Sequence, residues 1–284
     1  MLILAIFTPL STFAAIFIPA PLAILFYKGQ WQRAVGYAVF AMLGLFLLGA
    51  WIAPVLLLIA VTVTGYILSI GLKNNTLAQS VVYATLVIIA FLLMMLLLLK
   101  VSGIFIWPFM AQQIDQALKT ELQLGVGSES FKSIEDQVLG QIRLNLPAIF
   151  VIMAAVAALS NAAVLRVALI KAGKHNESFF RRLRMPKMIA PLFLVSFIGI
   201  QVGSGSMYLL IWQLVNNLLI ITTFLLSLQT LSLLWWMFGS TKLRLLKWFA
   251  AAVFAIVPLI GYVYVIIGLL DVVLDLRTRL KLRK

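Results

Sequence analysis

Cysteine is absent from the 284 residues, histidine occurs once, at His175, and acidic residues number only 8. Without thiols there is no disulfide framework, no thiolate metal site and no cysteine nucleophile, and a lone imidazole leaves metal or hydrolytic chemistry without its usual ligands. Charged side chains make up 11% of the chain, too few to cover a water-facing surface, which excludes a soluble domain. No basic stretch precedes the apolar N-terminal run MLILAIFTPLSTFAAIFIPAPLAILFY and no cleavage site follows it. That run therefore reads as part of the mature protein rather than as a signal peptide.

What the chain has instead is apolar length: 64% hydrophobic residues and a mean hydropathy of +1.13 describe a protein dissolved in lipid. The net charge of +14 sits in short clusters beside apolar runs, not along one folded face, so it marks membrane anchoring and not nucleic acid. The longest cluster is RVALIKAGKHNESFFRRLRMPK, residues 166–187, where seven Lys and Arg residues face only Glu177. The positive-inside rule makes it a cytoplasmic hinge between two membrane halves.

A helix needs about 20 apolar residues to cross the hydrocarbon core. That ruler predicts an all-α, polytopic transmembrane helix bundle of about eight spans, some broken by proline. The runs are 2–27, 34–50, 55–72, 77–99, 146–165, 188–203, 208–238 and 248–270. Pro19 and Pro21 interrupt the first, making 1–27 either a kinked span or a helix followed by a re-entrant piece. Residues 1–99 hold the N-terminal helices, 100–143 an insert, and 144–284 the C-terminal helices. Asp115, Glu121, Glu129, Glu135 and Asp136 outnumber Lys119, Lys132 and Arg143 in the insert, which places it outside. Two amphipathic helices are expected there, one carrying Phe109, Ile114 and Leu118, the other Phe131, Ile134, Val138 and Ile142. Pro147 is expected to open the following span. The run 248–270 has the length of a single span, but one crossing would put the basic tail RTRLKLRK outside. The alternative is a hairpin broken at Pro258 and Gly261, and the side of the C-terminus stays open.

Small residues allow close helix contact in lipid, so Ala154, Ala158 and Ala162, and the pair Gly199 and Gly203, are expected to pack helices together. The acidic residues all fall in the insert, the hinge or the last turns, which disfavours a proton pump built on buried carboxylates. Asp271 and Asp275, one turn apart, and the i, i+4 pair Asp275 and Arg279 read as capping or tail anchoring. Neutral polar groups remain inside: Gln201, Trp212, Gln213 and Asn217 outline either a substrate pocket or a set of interhelical hydrogen bonds. Arg181, Arg182, Arg184 and Lys187 suit a partner or anionic lipid. No catalytic group, cofactor or metal is expected. The expected partners are the lipid bilayer and membrane-protein subunits.

Three stretches carry a resemblance. LPAIFVIMAAVAALSNAAVLRVALIKAG, FFRRLRMPKMIAPL and GLLDVVLDLRTR resemble the patterns of the YybS-like family of bacterial membrane proteins, whose spacing covers nearly the whole chain. That family is in turn similar to the S components of energy-coupling-factor transporters, and PAPLAILFYKGQWQRAVG resembles their opening. The resemblance implies a multi-pass protein of the bacterial inner membrane that binds a substrate or serves a transporter as a subunit. A structural or assembly role in the envelope is the alternative.

Overall fold

A computed structural model describes residues 17–47, 53–74, 77–103, 108, 112, 128–171, 183–203, 209–238 and 260–281. Among them every regular element is helical: α1 (Pro19–Tyr27), α2 (Trp31–Leu47), α3 (Ala53–Lys73), α4 (Leu77–Val101), α5 (Ser128–Lys171), α6 (Ile189–Gly203), α7 (Leu209–Phe238), α8 (Ile260–Leu274) and α9 (Leu276–Lys281). Gln79–Val101, Gln137–Ala168 and Leu210–Phe238 are long and apolar enough to cross a bilayer, and Leu58–Lys73, Ile189–Val202 and Gly261–Leu274 are shorter apolar helices. The chain is thus an all-helical membrane protein with three clear spans among the described residues. Residues 2–16, 248–259 and the first amphipathic helix of the insert lie outside the described residues. The chain divides into two compact units, Met1–Leu165 and Arg166–Lys284.

In the first unit the proline break takes a definite form. Pro19 and Pro21 fall in the first turn of α1, where backbone N–H groups have no intrahelical acceptor, so neither proline costs a hydrogen bond. At nine residues α1 is about 13 Å long, too short to cross. It ends in a reversal in which Gly29 adopts φ +72°, Gln30 N–H donates to Leu25 O and Gly29 N–H to Phe26 O, the pairing that satisfies the last carbonyls of a helix. Leu22, Phe26, Ala34, Ala38 and Val61 form the core of α1, α2 and α3. Gly65 of α3 admits α1 so closely that a Cβ there would lie 3.0 Å from both Leu22 Cβ and Pro19 O. Beside this contact Phe26, Trp31 and Tyr66 cluster in tilted and edge-to-face pairs, with ring centroids 4.9 to 5.8 Å apart.

α5 departs from expectation. Residues 128–171 form one helix, and Pro147 lies inside it rather than opening a new one. At 44 residues the helix is about 66 Å long, so its first part projects well past a hydrocarbon core as a stalk continuous with the span. Ala154, Ala158 and Ala162 lie on one of its faces and are 1%, 0% and 0% exposed.

In the second unit α6, α7 and α8 meet around Ile189, Ala190, Leu226, Val265 and Val272. Gly199 faces Val215 of α7, whose side chain would lie 3.0 Å from an added Cβ; Gly203 closes α6. α7 and α8 touch backbone to backbone at Gly268. A Cβ there would collide with the Leu226 carbonyl and stand 2.9 Å from Thr230 Oγ1, the hydroxyl that donates to the Tyr264 carbonyl.

Candidate functional site

The chain between the hinge and α6 runs through Leu183–Pro186 without helix. Pro186 enforces this, since it disfavours a helical conformation at Met185 before it. Non-helical backbone beside apolar helices needs hydrogen-bond partners, and side chains supply them. Met185 N–H donates to Gln229 Oε1 at 2.9 Å, and Leu183 O accepts from Ser232 Oγ at 2.7 Å and from Arg277 Nη1 at 3.0 Å. Gln229 and Ser232 come from α7, Arg277 from the tail.

The same side chains join one another. Gln229 Nε2 donates to Asp271 Oδ2, which also receives Arg277 Nε at 3.3 Å and Nη2 at 3.2 Å, and Arg277 Nη2 donates to Ser232 Oγ at 3.0 Å. The Asp271 and Arg277 side chains are both 1% exposed. An ion pair of this kind holds its geometry because neither charge can be left alone in a low dielectric. Burial pushes the Arg277 guanidinium down from its ordinary value while the Asp271 carboxylate pulls it back up, and a guanidinium stays charged at any physiological pH. Asp271 Oδ1 is buried and has no hydrogen-bond partner among the described residues. Asp271, although it lies in the last turns of the chain, is thus buried, because the tail folds back over it.

The fold-back depends on Asp275. Its φ of +46° is a conformation that residues other than glycine seldom adopt, though Asp and Asn tolerate it best. It ends α8, and its Oδ2 accepts from Thr278 Oγ1 at 2.8 Å to start α9. The Thr278 hydrogen bond, with the nearby charges of Arg184 and Lys187, holds the Asp275 carboxyl below the usual carboxylate range. Arg184 reaches Asp275 at 3.4 Å in a half-exposed pair. Arg184, Met185, Lys187, Gln229, Asp271 and Arg277 line a crevice of about 60 Å³. Pockets for metabolites run to about 300–1,000 Å³, so the crevice suits a few waters or one small group.

The polar residues singled out in α6 and α7 are arranged differently. Gln201 is exposed near the end of α6, Trp212 and Gln213 are half-buried, and Asn217 is buried. Asn217 Nδ2 donates to Gln213 O at 2.8 Å within α7, and among the described contacts none joins Gln201 to them. Of the basic set, Arg184 and Lys187 line the crevice, and Arg181 and Arg182 lie outside the described residues. Residue spacing did not single out Gln229, Ser232 and Arg277 as one site. The usable signal was a glutamine and a serine deep in an apolar run, opposite a hinge that ends in proline.

A family profile described as predicted membrane protein (DUF2232) matches residues 1–272. The chain belongs to that family. The match stops one residue after Asp271, short of Asp275 and Arg277. Neither the curated proteins nor the solved structures contain a match.

Proposed function

We propose that this DUF2232 protein is a non-catalytic, multi-pass subunit of a transport system in the bacterial inner membrane, binding a small substrate or docking to the subunits that move it. The observation that carries the reading is that each unit contains an unusually short apolar helix entered at proline, the kind of segment that points to a transporter site. In the first it is α1, nine residues started by proline and seated on Gly65; in the second it is the fifteen-residue α6, which follows the non-helical Leu183–Pro186 stretch. The resemblance of the opening segment to S components of energy-coupling-factor transporters supports the same reading. The buried Asp271–Arg277 pair supplies a latch for such a subunit, since two charges removed from water hold one another in a fixed geometry. A thermal-shift screen of the purified protein against small metabolites tests this, with substrate raising the unfolding midpoint. No stabilisation across a broad panel, with no ATPase subunits crosslinked to the hinge, would sink it.

A second reading, an assembly protein of the envelope, draws on the stalk formed by the first part of α5. Crosslinking from that stalk to a stoichiometric envelope protein would favour it.

A further inference from the structure

Two boundaries between apolar and basic surface come together in the second unit. Lys187 is followed at once by the exposed apolar side chains Met188, Leu192, Val195 and Ile198, the surface of a helix entering lipid. α8 runs the other way, with Ile266, Leu270 and Val273 exposed before Asp275, after which α9 presents Arg279. Arg277 Nη1 to Leu183 O at 3.0 Å and Arg184 to Asp275 at 3.4 Å hold the two boundaries side by side. Such contacts cannot bridge a hydrocarbon core of about 30 Å. The chain entering α6 and the chain leaving α8 therefore lie at one face of the membrane.

We infer that the end of the basic hinge and the C-terminal tail form a single cationic surface at one membrane face that binds the phosphate headgroups of anionic phospholipids in the adjoining leaflet. Arg277 is neutralised by Asp271, and Asp275 balances only one of Arg184 and Lys187. Between Asp275 and Lys284 the sequence is basic, with Arg279, Lys281, Arg283 and Lys284 and no acidic residue. Among the described residues the surplus on Lys187 and Arg279 is positive and stands at headgroup depth, where each Lys or Arg adds attraction to an anionic leaflet and guanidinium groups grip phosphate with paired donors. The same placement constrains the crossings. Residues 188–270 must cross an even number of times. The inference is independent of the transport reading.

Because the chain has no cysteine, single cysteines report without background. His175→Cys and Lys284→Cys, each in the full-length protein in sealed, oriented vesicles, will react with an impermeant maleimide from the same side. Reaction from opposite sides overturns the inference. For the lipid, the full-length protein is placed in nanodiscs of phosphatidylcholine with and without phosphatidylglycerol, and native mass spectrometry counts retained lipid. Phosphatidylglycerol will be retained in preference, released by rising salt, lost in the triple variant Arg184→Gln, Lys187→Gln, Arg279→Gln, and kept in Arg184→Lys, Arg279→Lys. Equal retention of both lipids, salt-independent retention, or displacement by inorganic phosphate at low millimolar level would overturn it. The salt series on the unaltered protein decides the matter even where the triple variant does not fold.

Discussion

Removing the Asp271 carboxylate while leaving Arg277 in place should be among the most damaging single changes in the second unit. Both side chains are 1% exposed, and after Asp271→Ala the guanidinium loses its carboxylate, while the Leu183 carbonyl and the Ser232 hydroxyl are dipoles that do not neutralise its charge. Breaking a buried pair from one side costs about 3–5 kcal/mol, and Gln229 also loses the acceptor of its amide. Arg277→Ala should cost about the same 3–5 kcal/mol, because among the described residues Asp271 Oδ1 already lacks a donor and Oδ2 would then keep Gln229 alone. The double change Asp271→Leu, Arg277→Met replaces both charges by apolar volume and should fall within about 1 kcal/mol of wild type or exceed it in stability. Equilibrium unfolding in mixed micelles, followed by tryptophan fluorescence, reads all three. If either single variant costs less than about 1 kcal/mol, or if the double variant equals the sum of the singles within about 0.5 kcal/mol, the ion pair is not the coupled element described above.

The same assay reads the glycine contacts. Gly268→Ala drives a methyl into the Leu226 carbonyl, and Gly65→Ala pushes α1 off α3; each should destabilise by about 1–3 kcal/mol, the former by more. Gly36→Ala is the control, since its Cβ meets nothing within 4 Å, and it should stabilise by up to about 1 kcal/mol. The Asp275 carboxyl is depressed by Thr278, Arg184 and Lys187, so its contribution is full above the ordinary carboxylate pKa and is lost as pH falls through the lower folded value. Asp275→Asn, which tolerates the same backbone, should flatten that acid limb by no more than about 1 kcal/mol, the scale of an exposed pair. An acid limb unchanged in Asp275→Asn would assign it to other groups.

What the sequence made visible follows from how strongly lipid constrains a chain. An uncharged run such as residues 77–99 has one physical solution, and α4 extends over it. Pro19 and Pro21 announce a break because proline cannot donate, and α1 starts there. Pro147 carries the same sign and misleads: a single missing N–H inside a long helix breaks one hydrogen bond, which a helix of 44 residues outlasts. The buried cluster was hidden for a geometric reason. Spacing rules for a continuous helix join residues three or four apart, and so they select Asp275 with Arg279. Arg277 stands six residues beyond Asp271, a separation that a straight helix would turn about 240° away and about 9 Å along its axis. Only the left-handed turn at Asp275 brings it back. Gln229 and Ser232 look like ordinary polar residues of a span until the chain at Leu183–Pro186 is seen to need their hydrogen bonds. The demand comes from backbone with no helix to satisfy it, so the charge pair and the break in the chain are two sides of one arrangement. A variant that restores helix across Pro186 should leave Arg277 without its carbonyl and Gln229 without its amide, and should destabilise the second unit although it removes a proline.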